Sequence, residues 1–374
     1  MKLHTFSLRF VFTLALLVAP FLADAAQAQC VPAPAGMTNW WTGDGNAFDI
    51  IGGQHGSLQG GATFDAGKVA QSFSLNGTSA YVMVPNDPSA AFNFAGSLSI
   101  DAWIYLKSAP AEFAPIVSKW NDLGVNKRSY FMAVQPYGGA LRLRFDVSAN
   151  GLYLGGQSSA IVSADIIPLN TWTHVAGVFD GQAHTLTVYV NGHASQFAYA
   201  PSNVSAPFVT NEPVLIGAAD AGSNVRDYFH GGIDEVELFN RAITQAEIQS
   251  LVDAGGAGKT IPIKIDIKPD GTPNSINLGS NGKVPVAILS TETFDAATVN
   301  PASVRLAGAP VQAKPNGKLM ASLEDVNGDG RLDLVLHFPT QALLLNNAST
   351  QATLTGLTTN GRCISGSDSV NIVP

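Results

Sequence analysis

The chain has 374 residues, of which 46% are hydrophobic and only 13% are Asp, Glu, Lys or Arg, against about 25% charged in an ordinary globular chain. That length admits two domains with separate cores, and 37 glycines with 21 prolines suit a turn-rich all-β chain better than a helical bundle, whose outer faces need charge. A formal net charge of -8 disfavours nucleic acid and anionic membrane as partners.

Lys2 and Arg9, the apolar run Phe10 to Leu22 and the small residues ending Ala26-Gln27-Ala28 read as a secretory signal peptide over 1–28, cut after Ala28. The run is too short to insert as a membrane span, and a lipoprotein signal at Cys30 is disfavoured because Gln29 stands where a small residue is needed. Removing the leader leaves 18 basic against 27 acidic residues, a net charge of -9. Two cysteines remain, Cys30 and Cys363. In an oxidising compartment they could form one disulfide, the alternative being two unrelated thiols, since nothing in the sequence brings the two ends together.

From Trp40 to Pro85 short apolar runs alternate with Gly, Asn and Asp turns, as closely spaced sandwich strands should. Leu98 to Leu106 alternates a core set (Leu98, Ile100, Ala102, Ile104, Leu106) with a mixed outer face of Ser99, Asp101, Trp103 and Tyr105. Further strands are expected over Ile116–Trp120, Tyr130–Val134, Leu141–Val147 and Val214–Ile216. Trp172 to Gly192 predicts a hairpin turning at Asp180-Gly181-Gln182-Ala183, with apolar bulk on both faces and hence a central position. Gly232 to Phe239 gives a closing strand, and Thr244 to Val252 a short helix with Thr244 and Glu247 placed as a capping box.

These features resemble the laminin G-like domains of the concanavalin A-like lectin superfamily. The resemblance is carried by Trp40-Trp41 and Gly43-Asp44-Gly45-Asn46 with Asp49 downstream, Gly67-Lys68-Val69, Tyr81-Val82 before Val84-Pro85, Trp172-Thr173-His174-Val175 with Val190-Asn191-Gly192, and Asn240-Arg241-Ala242 before the helix. It covers about Trp40 to Val252, and implies a jelly-roll β-sandwich over 29–253. It also implies a structural calcium between the N-terminal acidic loop and the closing strand, best matched by Asp49 and Asp234, with Asp44 and Glu235 in reserve. The alternative is a turn cap and a surface carboxylate. Glucanases of this superfamily carry Glu-x-Asp-x-x-Glu on one strand; the nearest string, Asp234-Glu235-Val236-Glu237, lacks that order. With no His-Glu-x-x-His, no Gly-x-Ser-x-Gly and seven scattered histidines, no catalytic residue is assigned, and His174 is read as structural.

Residues 254–260 form a linker by composition. The Gly-rich stretch imitates a phosphate-binding loop, but Asp253 occupies the first required glycine and a helix precedes it where a strand is needed. A second β module is expected over 261–374, with strands in IPIKIDIKP, Val284–Ser290 and Leu332–Phe338. It resembles a small C-terminal β domain of secreted bacterial proteins, recognised by Ile-Asp-Ile-Lys-Pro and Glu-Asp-Val-Asn-Gly-Asp-Gly, with no activity implied.

Asp325, Asn327, Asp329, the Arg331 carbonyl and Asp333 stand at loop positions 1, 3, 5, 7 and 9 with Gly330 at 6, the oxygen set a calcium ion requires. Leu336 replaces the EF-hand's final Glu, so affinity is expected on the order of 10⁻⁴ to 10⁻³ M; the alternative is a polar turn with solvated carboxylates. Trp103, Tyr105, Tyr137, Tyr153 and Tyr228 are candidates to stack on sugar rings, though each alone is more often core or rim. The expected function is calcium-assisted extracellular binding of a glycan, with a protein partner second and glycoside hydrolysis a minor alternative.

Overall fold

The computed structural model describes residues 30–86, 91–122, 126–153, 158–200, 203–220, 225–269 and 271–373, so the expected leader lies outside it. The strands that position the site are β1 (Met37–Trp41), β2 (Leu98–Leu106), β3 (Ala114–Lys119), β4 (Arg128–Tyr137), β5 (Ala140–Gly151), β6 (Thr173–Asp180), β7 (His230–Phe239), β8 (Lys283–Leu289), β9 (Asp333–Pro339) and β10 (Cys363–Ser369).

The N-terminal domain is a jelly-roll sandwich of two eight-stranded sheets. In the first, β6, β2 and β7 lie side by side with β1 also paired to β7; in the second, β5, β4 and β3 are consecutive neighbours and the strand Val214–Ile216 follows β3. The facing sides follow the period-2 pattern. Leu98, Ile100, Ala102, Ile104 and Leu106 meet Tyr130, Met132 and Val134 of β4 and Leu143, Phe145 and Val147 of β5 in one buried cluster. Burying each large side chain stabilises by roughly 1.5–3 kcal/mol. The sheets approach so closely at Gly177 that a Cβ there would stand 2.6 Å from the Phe145 ring, which is why the strand carries glycine in mid-span.

The hairpin forms as expected, with Asp180 Oδ1 accepting from the amides of Gln182 and Ala183 in the turn. Only its first strand is central, however. The second, Thr185–Val190, has just the two-residue strand His193–Ala194 beyond it. The other face of β6 is covered too, because Ala176 and Val178 pack with Phe239, Ile243 and Ile248. Ile248 belongs to helix α1 (Gln245–Ala254), which Thr244 and Glu247 close with the expected reciprocal capping box. The mixed outer face of β2 is thereby buried as well: Ser99, Asp101 and Trp103 are all inside.

The C-terminal domain has its own core, in which Ile265, Ile267, Val286, Ile288, Leu336 and Phe338 pack together. IPIKIDIKP is not one strand. Ile261–Pro262 runs parallel to β10 whereas Lys264–Ile267 runs antiparallel to β8, so the segment switches sheets at Ile263. The expected linker is not a free tether either, since Val31 donates to the Gly258 carbonyl and accepts from Thr260, and Lys259 is buried. Cys30 and Cys363 form a disulfide with their Cα atoms 6.2 Å apart, tying the start of the first domain to β10.

Candidate functional site

Two clusters of opposite charges bear on function, one buried in the seam between the domains and one open on the outer face of the second sheet. The seam cluster begins at a bulge. Pairing of β7 with β2 shifts between Asp234 and Glu237, and Glu235 takes a left-handed backbone with φ 53°, which re-aims its side chain. Glu235 then reaches Lys259 Nζ at 2.8 Å and Arg362 Nη1 at 2.5 Å; Glu237 also contacts Lys259, and Arg362 reaches Asp44 at 3.1 Å. The Trp40 ring covers both cations, 4.7 Å from Lys259 Nζ and 5.5 Å from the Arg362 guanidinium carbon.

Burial by itself would raise Glu235, but Arg362 and Lys259 outweigh it and hold that carboxyl below its usual range. Burial pushes Glu237 and Asp234 well up and Asp101 to about 6, because two cations cannot neutralise five carboxylates. His174 Nε2 lies 3.1 Å from Asp101, and burial lowers the imidazole to about 3, so it stays neutral. Glu235, re-aimed by the bulge, and Glu237 both reach Lys259, and at 1% and 0% exposure they do not face a groove.

The expected pairing of Asp49 with Asp234 departs from the structure. Asp49 Oδ1 accepts from the amides of Trp40, Ile51 and Gly52, and Oδ2 accepts from Asn39 Nδ2 and the Gln54 amide. Five donors consume the roughly four lone-pair sites of a carboxylate, so Asp49 is a buried staple for its loop. Asp234 instead accepts from the Val69 amide at 2.9 Å.

In the loop after Glu324, the backbone wraps around Asp325: Oδ1 accepts from Gly328 and Asp329, and Oδ2 from Gly330. Asn327 Oδ1 accepts from the Asp329 amide and Asp329 Oδ1 from that of Arg331, which leaves lone pairs on all three side chains pointed within one exposed turn. The oxygen set of Asp325, Asn327 and Asp329 fits a hard cation. Asp333 differs from expectation, since it is fully buried at the head of β9 and clamps the loop base through the amides of Ser290 and Val326. The Arg331 side chain turns back toward Asp329 at 3.6 Å.

Of the candidate stacking aromatics, Trp103 is buried edge-on to His174 with Lys68 over its ring, Tyr105 packs on Trp172, and Tyr228 on Tyr81. Tyr137 packs against Phe197 on the rim. Tyr105 borders one cleft together with Trp172, Asp65 and Lys107, while Tyr153, 46% exposed, opens into a second above β3, β4 and β5. Its apolar wall is Phe113, Phe131 and Trp120, with Trp120 5.7 Å from Phe131 and 6.4 Å from Tyr153. The polar wall is a lattice of guanidinium and carboxylate groups. Arg144 grips Asp146 through two nitrogens and reaches the Tyr153 hydroxyl; Arg226 contacts Asp220, Asp122 at 2.9 Å and Asp227 at 3.6 Å; Arg128 reaches Asp122 at 3.5 Å. Burial raises Asp146, Asp220 and Asp227, and Arg144 is held above its usual range by Asp146 despite burial.

Sequence reading did not assemble this cleft. The signal that could have found Arg144 and Asp146 is their alternation with Leu143, Phe145 and Val147, which face the core, whereas Phe131 stands among apolar residues on both faces of its strand. Trp120, Asp122, Asp220 and Arg226 come from segments some hundred residues apart, and meet because β3 pairs with Val214–Ile216.

Residues 76–249 match the family model of laminin G domains in the concanavalin A-like lectin/glucanases superfamily. No curated protein matches the chain. Among solved structures, domain 4 of AbnA, an extracellular arabinanase from Geobacillus stearothermophilus in complex with arabinotriose, is similar at 18% identity and TM-score 0.43, covering 58% of this chain and 98% of that one. The binding domain of botulinum neurotoxin DC in complex with SialylT is similar at 11% identity and TM-score 0.46, covering 88% and 84%. A putative carbohydrate binding protein from Bacteroides ovatus is similar at 18% identity and TM-score 0.36, covering 48% and 46%.

Proposed function

We propose that the protein is an extracellular glycan-binding protein whose N-terminal domain holds carbohydrate in the β3–β4–β5 cleft without cleaving it. The observation that carries this reading is the cleft itself: flat rings of Trp120 and Tyr153 beside pre-oriented Arg144, Arg226 and Asp122. Apolar sugar faces pack on such rings, while hydroxyls need fixed donors and acceptors at the edge. Support for binding without turnover is that Glu235 and Glu237 are buried and salt-bridged to Lys259. The Cys30–Cys363 disulfide suits an oxidising compartment.

Calcium enters as a stiffener of the C-terminal domain. Asp325, Asn327 and Asp329 would hold it with the Arg331 carbonyl, and the ion would supply rigidity to the exposed turn. A second reading, adhesion to a protein, is favoured by one patch: Tyr137, Phe197 and Ile166 are exposed around Arg142, whose guanidinium lies 4.3 Å from the Phe197 ring.

Retention of the purified chain on immobilised polysaccharides tests the glycan reading. Tyr153→Ala, at a site 46% exposed, should weaken retention roughly tenfold, about 1.4 kcal/mol, with melting unchanged. Retention that survives Tyr153→Ala but falls with Phe197→Ala moves the site to the rim patch. Reducing sugar released from any retained polymer overturns the non-enzyme reading.

A further inference from the structure

Every aspartate lining the cleft already has a guanidinium partner. Asp146 is held by Arg144; Asp122, Asp220 and Asp227 converge on Arg226, and Asp122 also faces Arg128. Among the described residues, three arginines and four aspartates line the space, a formal net charge of -1. Asp146 and Asp220 form the floor, 2% and 1% exposed, whereas Arg226 and Asp122 stand higher at 39% and 26%.

A calcium ion demands six to eight oxygens, and the three carboxylates that could begin such a shell are occupied by Arg226. The guanidinium is thus the resident cation. An anionic sugar meets the opposite difficulty, because it gains Arg144 or Arg226 only by drawing the guanidinium from Asp146 or Asp220 and leaving a buried carboxylate uncompensated, and the third cation, Arg128, is shared with Asp122 in a space whose charge is already negative. A hydroxyl both donates and accepts, so it can bridge an arginine and an aspartate without separating them. We infer that the cleft takes a neutral, polyhydroxylated sugar chain and takes it without a metal ion. This rests on the glycan reading above and narrows its ligand class.

The test uses the full chain on three immobilised polymer types, neutral polysaccharide, polyuronate and sulfated polysaccharide, each in millimolar calcium and in chelator, with circular dichroism recording that the fold is intact in both. The expected result is retention on a neutral polymer, altered less than twofold by chelator and reduced about tenfold by Tyr153→Ala. Retention confined to the acidic polymers overturns the inference and leaves glycan binding standing. So does loss of neutral-polymer retention in chelator while the dichroism is unchanged. Neutral-polymer retention indifferent to Tyr153→Ala removes the inference from this cleft. Retention on no polymer sinks the glycan reading itself, a distinct outcome.

Discussion

In the seam Lys259 and Arg362 meet Glu235, Glu237 and Asp44 under Trp40; in the cleft Arg144 and Arg226 meet Asp146, Asp220 and Asp122 beside Trp120. The ingredients are alike, two or three cations among aspartates and glutamates next to an indole. What differs is the cover. Both cations of the seam come from the segment joining the domains and from the C-terminal domain itself, so they arrive only when that domain docks and they shut the cluster from water. The cleft's cations come from the domain that carries its carboxylates, and its upper groups stay wet. A covered lattice can only hold domains together, whereas an open one can also be read by a ligand.

The disulfide should show the largest effect on the covered side. Its ends are 333 residues apart, and the chain-entropy account gives a loop of that size about 5 kcal/mol, so a Cys30→Ser/Cys363→Ser chain should unfold at distinctly lower denaturant. Equal midpoints would mean that the seam's ion pairs already fix the docking. Lys259→Met should follow, costing about 3–5 kcal/mol by leaving Glu235 and Glu237 buried without their shared cation, while Arg226→Met in the open cleft should cost less, about 1–3 kcal/mol, because Asp220 loses its partner under cover but Asp122 and Asp227 reach water. Similar losses in urea titrations of the two variants would erase the distinction drawn between the clusters.

The buried side should also be the pH-sensitive one. His174 is lowered to about 3 by burial, with Glu237 raising and Lys259 lowering it further, so the unfolded chain binds the extra proton first. Its contribution is therefore present above about 6.5 and is lost as pH falls toward 3. Asp101, raised to about 6, works the other way: its contribution is present below about 3.9 and is lost as pH rises through 6. Replacing His174 by Gln should flatten the fall in stability between pH 6.5 and 5, read from urea midpoints; an unchanged slope would assign the acid sensitivity to other groups.

The smallest effect is expected at the exposed loop. One millimolar calcium at a site of 10⁻⁴ to 10⁻³ M should add about 0.4–1.4 kcal/mol to the C-terminal domain, and Asp325→Asn/Asp329→Asn should remove that increment. A calcium-dependent shift that survives the double substitution would place the ion elsewhere.

Much of the sandwich was legible because alternation reports directly on which side of a strand is buried. Leu98 to Leu106 is a strand with the expected bounds, and Thr244 with Glu247 caps helix α1 where local chemistry put it. Local turn chemistry likewise predicted the Asp325 loop, since the residues that shape it lie within a few positions of one another. Asp49 was legible as a turn cap, one of the two roles its position allowed, but the full set of five donors depends on how the loop folds back on β1.

What the sequence by itself determined, then, is the all-β class, the inward face of β2, the helix cap and the acidic turn. All of these follow from interactions short in sequence or from a fixed two-residue period. Only the tertiary structure decided that the outer face of β2 would be buried, that Lys259 in a glycine-rich linker would become a buried counter-ion, that Cys30 meets Cys363, and that Trp120, Arg144 and Arg226 border one cleft. Each of those outcomes brings together segments distant in sequence, from 24 residues between Glu235 and Lys259 to 333 between the cysteines, whose meeting is fixed by sheet order and domain docking, and neither of these is encoded in the periodicity of any one segment.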